Sequence, residues 1–230
     1  MASNLLSFEL LYIVLLALYA VSVIVLTRYF YDYLVNKKHM RKSVAVYYNR
    51  KLIHIFAGGV VVLTVPFLFS NPFYPLFASI LLTIIMYALH KSDHMLYWFQ
   101  TDDNVSDVSF CLMWGVAIFV LWVIFDNPWI AVIPPAFIAF GDGVTGIVRN
   151  IGFKERSKHP IGNIYMAGVC TPIGLYFGSI SGIPNMALWG FVAAIVASFF
   201  ERYEFGPIDD NILITVGSVA VLLAGAWQII

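Results

Sequence analysis

Charged residues and cysteines are both scarce in this sequence, and each shortage excludes a class of protein. Only 11% of the 230 residues are charged and 61% are hydrophobic, which is more apolar surface than a soluble domain of this size can bury. The two cysteines, Cys111 and Cys170, lie far apart in apolar stretches, which excludes a disulfide framework and a cysteine-based zinc site. Basic and acidic residues balance at 13 each, so no nucleic-acid partner is expected.

Several common motifs are absent as well. The sequence has no P-loop and no GxSxG nucleophile motif, so neither of these two catalytic frameworks applies. Internal repeats, low-complexity segments and linkers are also lacking. A single domain covering residues 1–230 is therefore predicted.

Long apolar runs are what the sequence does contain. A membrane-spanning helix needs roughly 20 mostly apolar residues, and about eight such runs are present. They lie near Leu6–Thr27, Leu52–Phe69, Phe73–His90, Val108–Phe125, Trp129–Val148, Ile164–Ile180, Met186–Phe200 and Ile212–Ile230. We therefore predict an all-α, polytopic integral membrane protein with about eight transmembrane helices in one transmembrane domain.

The connections between these runs predict an orientation. All 13 lysines and arginines lie in or beside the longer connections, which are residues 28–51, 91–107, 149–163 and 201–211. None lies in the short turns between the other runs. The positive-inside rule then places the N-terminus outside and the four polar loops in the cytoplasm. Of the 13 acidic residues, only Glu9 and Asp126 face away from that side. The membrane is either a prokaryotic plasma membrane or that of the endoplasmic reticulum or another organelle.

A basic cluster enters the second apolar run. Arg50 and Lys51 precede His54 by four and three residues, so on a helix the three polar groups converge on one side. His54 lies inside the run that begins at Leu52. The cluster is either a phosphate-binding and proton-handling group or an interfacial anchor with a histidine that reaches the membrane surface.

An acidic residue lies deep in the fifth apolar run. Asp142 is flanked by Gly141 and Gly143, and Thr145 and Arg149 follow on the same helical face. An ionisable group at this depth predicts a functional site, and the flanking glycines let a backbone or ligand approach closely. A carboxylate and a hydroxyl suit a divalent cation, and a guanidinium suits phosphate. The alternative is helix packing through small residues, with Asp142 paired to a base.

The loop of residues 154–163 is a candidate phosphate cradle. It opens a predicted span at about Ile164, which makes Asn163 the predicted N-cap, with Lys158 and Gly162 beside it. Backbone N–H groups at a helix start attract anions. The same composition is also typical of any cytoplasmic loop.

The loop after the seventh run is rich in oxygen ligands. Glu201 is followed by Asp209, Asp210 and Asn211, and such groups beside a membrane suit Mg²⁺ or Mn²⁺. A solvated acidic loop is the alternative. The segment from Asp102 to Asp107 has a similar composition, and we predict that it is solvated.

In this order, the clusters resemble the family of membrane CTP-dependent polyprenol kinases, which includes dolichol kinase and phytol kinase and is related to the phosphatidate cytidylyltransferases. The resemblance extends from Arg50 to about Ile214. It is carried by Arg50-Lys51-xx-His54, Phe140-Gly141-Asp142-Gly143, the loop with Lys158 and Gly162, and Glu201 followed by Asp209-Asp210-Asn211.

The resemblance implies roles for these residues. Asp142 and the group Asp209-Asp210-Asn211 would serve metal and nucleotide, and Lys158 with Arg50-Lys51 would meet the triphosphate. The expected reaction is transfer of the γ-phosphate of CTP, with Mg²⁺ or Mn²⁺, to the hydroxyl of a membrane isoprenoid alcohol such as dolichol, phytol or geranylgeraniol. Asp142 is expected to bind the metal, with Asp209 or Asp210 as a second ligand or as the base.

The basic loop departs from the family pattern. The family has Ser or Thr after the lysine, often an acid before the glycine, and a final serine, whereas this sequence has His159, Ile161 and Asn163. A nucleotide other than CTP therefore remains an alternative donor. A cytidylyltransferase that makes a CDP-activated lipid is an alternative activity, and a membrane transporter is a second one. The alcohol and the oligomeric state stay open.

Overall fold

The structure, a computed structural model, describes residues 2–92, 94–153 and 157–227. Within these ranges the chain is helical apart from turns and two isolated β-bridges. The helices are α1 (Ala2–Asp32, continued by a π-helical turn at Tyr33–Lys37), α2 (Lys42–Leu68), α3 (Phe73–Lys91), α4 (Ser106–Phe125), α5 (Pro128–Phe153), α6 (Ile161–Ile180), α7 (Met186–Phe200) and α8 (Asp210–Trp227).

Each of the eight predicted apolar runs is helical, which confirms the all-α prediction. Among the described residues, six helices (α1 to α5 and α8) are long and apolar enough to cross a membrane by length and composition, as in a helical integral membrane protein. The helix α7 has only 15 residues. The predicted last run extends to Ile230, and its final residues, 228–230, lie outside the described part of the chain.

Large apolar side chains cover the outside of the bundle. Phe67, Phe77 and Leu81 are more than 60% exposed. A soluble monomer rarely exposes so much contiguous apolar surface, whereas lipid tails accept it. The exposed apolar surface therefore agrees with a membrane environment.

The centre of the bundle is α5. Of its most hydrophobic stretch, 83% is buried, and Ile130, Ile133, Phe137 and Ile138 are fully enclosed. It contacts α2, α4, α6, α7 and α8. A polar side chain on α5 is therefore surrounded by other helices rather than by lipid.

The short turns lie together at one end of the bundle. The Asn127 amide, between α4 and α5, donates to the carbonyl of Ser181, between α6 and α7, at 2.8 Å. At the turn between α2 and α3, the Ser70 N–H donates to the buried Glu9 carboxylate at 2.6 Å. Since helices reverse direction at every turn, the longer polar loops lie at the opposite end.

The helices α6 and α7 approach each other most closely at a pair of glycines. A Cβ on Gly174 would meet the backbone of Gly190, and a Cβ on Gly190 would meet the backbone of Gly174. Both residues are buried, and two backbones cannot yield as a flexible side chain can. Small residues that let helix backbones touch are typical of packing in membranes.

We expect Gly174→Ala to destabilise the protein by about 1–3 kcal/mol, since it inserts a methyl group into a backbone contact. The matched control is Gly168→Ala on the same helix, where a Cβ meets nothing within 4 Å. That change should be neutral or stabilising by up to about 1 kcal/mol, because alanine is the better helix former. Thermal unfolding in detergent measures both. Equal effects of the two substitutions would contradict this packing.

Candidate functional site

Two helices change to π-helical geometry at the point where they face each other. The π-helical segment of α2 is His54–Gly59 and that of α5 is Phe137–Gly141, and the two segments are in contact. A π-helical turn disturbs the regular backbone ladder and is often found at functional sites. Here, one segment begins at a predicted site residue and the other ends directly before Asp142.

Side chains from other helices donate to the carbonyls of the α2 segment. The Tyr19 hydroxyl on α1 donates to the Phe56 carbonyl at 2.7 Å. The Trp114 indole N–H on α4 donates to the Gly58 carbonyl at 3.3 Å. Carbonyls in an irregular helical segment need such partners inside an apolar bundle. The π-helical geometry at His54 is therefore held from two sides.

Asp142 pairs with two residues of the basic cluster. The Lys51 Nζ lies 2.6 Å from both Asp142 carboxylate oxygens, and His54 Nδ1 lies 3.2 Å from Oδ2. All three side chains are almost completely buried. The His54 ring stacks on Phe110 with centroids 4.0 Å apart, which fixes its plane. The Lys51 ammonium compensates the buried negative charge of Asp142. The Asp142 carboxylate in turn orients the His54 imidazole, which borders a cleft.

Arg149 is engaged within the protein. Its Nη1 lies 2.5 Å from Oε1 of Glu201, its Nε donates to the His159 carbonyl at 3.0 Å, and its Nη2 donates to Asn163 at 3.3 Å. The side chain is fully buried. In this arrangement Arg149 ties α5 to the start of α6 and the end of α7, whereas the sequence predicted a phosphate contact.

The predicted N-cap at Asn163 is wrong. The helix α6 begins at Ile161, three residues before the predicted start at Ile164, and Pro160 occupies the N-cap position. Pro160 already has helical backbone angles and lacks an N–H that would be left unpaired. The Asn163 side chain instead donates to the Ser198 carbonyl, and the Ser198 hydroxyl donates back to the Asn163 carbonyl at 2.6 Å. Asn163 is thus an α6–α7 packing residue.

Thr145 and Gly162 join α5 to α6. The Thr145 hydroxyl donates to the Gly162 carbonyl at 3.1 Å, and Thr145 is fully buried. A Cβ on Gly162 would overlap the Arg149 guanidinium, so glycine at this position leaves the space that the Arg149 side chain occupies. Both residues, predicted to contact nucleotide, are packing residues in this structure.

The glycines beside Asp142 also serve close packing. A Cβ on Gly143 would meet Ile55 of α2 at 2.5 Å, and one on Gly141 would meet Cys170 of α6. They allow neighbouring helices to approach the carboxylate. Part of the predicted phosphate cradle, Lys154, Glu155 and Arg156, lies outside the described residues.

Lys158 links the loop before α6 to three acidic residues, Asp210, Glu204 and Glu201. Its Nζ lies 2.7 Å from Asp210 Oδ2, 2.9 Å from Glu204 Oε1 and 3.0 Å from the Glu201 carbonyl. Burial alone would lower the pKa of Lys158, but the carboxylates of Asp210 and Glu201 outweigh it and raise the pKa above its usual value. Lys158 therefore stays positively charged over the physiological pH range.

Three carboxylates from different elements converge near these cations. Asp142, Glu201 and Asp210 each offer an oxygen, and these oxygens lie within 4.8 Å of one another. Burial raises the pKa of Glu201, and Lys158 and Arg149 act in the opposite direction. Carboxylates this close can all stay ionised only if cations lie among them.

Several buried oxygens near this group have no hydrogen-bond partner within the described part of the chain. They include Oε2 of Glu201 and Oδ1 of Asn211, and both of these residues are only 1% exposed. Unpaired buried acceptors call for a water or an ion. The donor set, all oxygen and mostly carboxylate, fits Mg²⁺ or Mn²⁺ and does not fit zinc.

Asp209 does not belong to this group of converging carboxylates. It precedes α8, accepts from the Ile212 N–H at 3.1 Å and receives the Ser109 hydroxyl, as an N-cap residue does. Burial raises its pKa, and the bond from Ser109 partly opposes that shift. The sequence predicted Asp209 or Asp210 as a second metal ligand, and it is the adjacent Asp210 that lies among the converging carboxylates.

A narrow cleft opens beside Lys51 and Asp142. It is lined by Tyr47, Arg50, Lys51, His54, Asn104, Ser106, Asp142, Asp210 and Asn211. Arg50 reaches Asn104 at 3.2 Å, and the Asn211 amide donates to the Ser106 carbonyl at 3.0 Å. Six of the nine lining residues were predicted from the sequence.

Sequence reasoning missed Tyr47, Asn104 and Ser106. Tyr47 lies one helical turn before Lys51, and the Lys51 ammonium is 5.1 Å from its ring; this spacing could have pointed to it. Asn104 belongs to the loop that was predicted to be solvated. That loop is held against the bundle by His90, whose Nε2 contacts the carbonyls of Thr101 and Asn104 at 3.1 and 3.0 Å.

Comparison with known proteins gives no match: no family model fits the chain, and neither a curated protein nor a solved structure is similar to it. The geometry of the cleft and the residue pattern are therefore the observations on which a function must be argued.

We expect Arg149→Met to destabilise the protein by about 3 kcal/mol or more, because it leaves the buried Glu201 carboxylate without its closest partner. The double variant Arg149→Met/Glu201→Met should recover most of that loss, since it removes both charges and keeps the volume apolar. Chemical or thermal unfolding in detergent compares the two variants with the unaltered protein. A double variant less stable than the single one would refute the pairing.

Proposed function

We propose that this protein is a membrane lipid kinase that transfers the γ-phosphate of CTP to the hydroxyl of an isoprenoid alcohol. The observation that carries the proposal is the convergence of three carboxylates, those of Asp142, Glu201 and Asp210, with the two lysines Lys51 and Lys158. Asp142, Asp210 and Lys51 line a cleft there together with His54. Phosphoryl transfer requires little covalent help from a protein, and alignment and charge neutralisation dominate it. Clustered carboxylates, lysines and a histidine provide both functions.

The proposal includes a topology with eight spans. We propose that α6 and α7 also cross the membrane, that the N-terminus is outside, and that the cleft faces the cytoplasm. The gathering of short turns at one end and of basic loops at the other supports this orientation. A soluble nucleotide and a lipid hydroxyl would then meet at the cytoplasmic interface.

The reaction has a simple balance. The alcohol oxygen forms a bond to the γ-phosphorus, the bond from that phosphorus to the bridging oxygen breaks, CDP leaves, and the alcohol proton passes to a base. His54 is our candidate base, because Asp142 holds its Nδ1 at 3.2 Å and its ring lines the cleft. A carboxylate that orients an imidazole in this way is a common arrangement in proton transfer.

A divalent cation fits the three carboxylates. Asp142, Glu201 and Asp210 would hold Mg²⁺ or Mn²⁺, which would neutralise charge on the phosphates. Lys51 and Arg50 line the cleft on the side of α2 and would bind phosphate oxygens. Lys158 would do the same from the loop before α6.

The alternatives differ in their products. A cytidylyltransferase would use the same groups, but a lipid phosphate would attack the α-phosphorus and release pyrophosphate. A transporter would need a polar path through the bundle. Among the described residues, the core of α5 towards the short turns is apolar, with Ile130, Ile133 and Phe137 fully buried, which favours an enzyme that opens to one side.

Purified protein in detergent with CTP or ATP, Mg²⁺ and a panel of isoprenoid alcohols tests the proposal. We expect CDP and a prenyl monophosphate as products. Asp210→Asn should lower the rate on the order of 100-fold, as loss of an electrostatic group in an active site does. The matched control is Asp103→Asn, an exposed residue, which should leave the rate unchanged.

Three results would contradict the proposal or its residue roles. Pyrophosphate and a CDP-lipid would identify a cytidylyltransferase, and the absence of any product with every donor would reject an enzyme of this class. A large loss in Asp209→Asn with full activity in Asp210→Asn would reverse the roles that we assign to the two aspartates.

Nucleotide binding should also have a defined pH dependence. Because the pKa of Lys158 is raised in the folded protein, its positive charge is fully present below the ordinary lysine value and is lost only as the pH rises through the raised value. CTP affinity should thus stay constant between about pH 7 and 9. In Lys158→His, affinity should fall about tenfold between roughly pH 6 and 8, as an imidazole loses its proton. Isothermal calorimetry measures both, and parallel curves would reject a role for Lys158.

A further inference from the structure

We propose that Lys51 and Lys158 are built-in counter-ions of the carboxylate cluster, and that a divalent cation binds there only when a phosphate-bearing ligand draws these lysines away. This inference rests on the proposed function only in naming the nucleotide triphosphate as that ligand. It concerns the order in which metal and phosphate bind to the site.

Each carboxylate of the cluster already has a cation. Asp142 pairs with Lys51 at 2.6 Å, Glu201 with Arg149 at 2.5 Å, and Asp210 with Lys158 at 2.7 Å. The three carboxylates thus meet three positive charges, and Lys158 is shared with the partly exposed Glu204 at 2.9 Å. A divalent cation added to this arrangement would bring excess positive charge into a buried site, which is unfavourable.

The three cations differ in their freedom to leave. Arg149 is fully buried and bonded to oxygens through Nε, Nη1 and Nη2, so it is fixed. The Lys158 side chain is 29% exposed, and Lys51 lines the cleft. A lysine carries a compact charge on a flexible four-carbon stem. Both ammonium groups can therefore turn towards an anion in the cleft, and Arg149 cannot.

The site retains ligands for a metal once the lysines turn away. Glu201 Oε2 and Asn211 Oδ1 are buried without a partner in the described part of the chain, and Asn211 lines the same cleft as Asp142 and Asp210. These acceptors are suited to a cation or its water ligands.

The consequence is a coupling between metal and phosphate. A polyphosphate takes over the lysines, the freed carboxylates then need a cation, and the divalent ion supplies it. By reciprocity, bound metal strengthens phosphate binding by the same factor. Without nucleotide the carboxylates stay paired with their own basic side chains.

Binding of Mn²⁺ to the full protein in detergent, without nucleotide, tests this. Free Mn²⁺ is read from its electron paramagnetic resonance signal. We expect weak binding to the unaltered protein and at least about tenfold tighter binding to Lys158→Met, because one built-in counter-ion is missing. The matched control is Lys91→Met at the exposed end of α3, which should bind Mn²⁺ as the unaltered protein does.

A second measurement needs no variant. Sulfate is a tetrahedral dianion that binds Mn²⁺ weakly, and it should tighten Mn²⁺ binding to the unaltered protein severalfold relative to chloride at equal ionic strength. The inference is overturned if the unaltered protein and Lys158→Met bind Mn²⁺ with equal affinity, or if no variant binds Mn²⁺. If Lys158→Met does not fold, the lack of a sulfate effect on the unaltered protein overturns it.

The outcomes separate this inference from the proposed function. Tighter Mn²⁺ binding in Lys158→Met without transfer to any alcohol supports the counter-ion role and rejects the lipid kinase. Transfer by the unaltered protein with equal Mn²⁺ affinity in both forms supports the kinase and rejects the counter-ion role.

Discussion

A carboxylate in the middle of an apolar helix bundle requires a positive charge close by, and the structure around Asp142 is organised by this requirement. Asp142 is only 1% exposed, although it lies level with the end of α7 and the start of α8, where Glu201 and Asp210 approach it. At that burial an isolated negative charge would cost several kcal/mol. Lys51 and His54 meet the requirement from α2. The relative position of α2 and α5 is thereby set by charge as well as by packing.

Holding these groups together requires local changes in both helices. A π-helical segment changes which face of a helix the following side chains occupy, and one lies at His54 and another directly before Asp142. Donors from α1 and α4, Tyr19 and Trp114, satisfy carbonyls of the α2 segment. Two helices that contribute no carboxylate to the cluster thus support its geometry. A change at Tyr19 would act on the site through the backbone.

The sequence predicts the helices well because membrane helices follow from apolar length alone. It also predicts that Lys51, His54, Asp142 and Asp210 matter, since each is a polar residue beside or within an apolar run. It cannot predict their pairing. Arg149 could equally have faced a phosphate, and only the packing of α5 against α6 and α7 shows that it faces Glu201.

Two further details of the site also depend on local structure. Asparagine is a residue type typical of an N-cap, which favoured Asn163, but the helix already begins after Pro160. Asp209 and Asp210 are neighbours with the same chemistry, and the rotation of α8 decides which of them faces the cleft and which caps the helix. The π-helical segments have no residue signature in this sequence, so the alignment of His54 with Asp142 required the structure.

The charge balance of the cluster explains how one site can serve both folding and binding. A buried group of three carboxylates would oppose folding if it waited empty for a metal, because like charges repel strongly in a medium of low polarity. Pairing each carboxylate with a basic side chain removes that penalty before any ligand arrives. Arg149 is fixed by several bonds, whereas each of the two lysines is held by ion pairs on a flexible stem. In the proposed kinase, these ion pairs would set the condition for binding, since only a ligand that offers negative charge of its own would replace them.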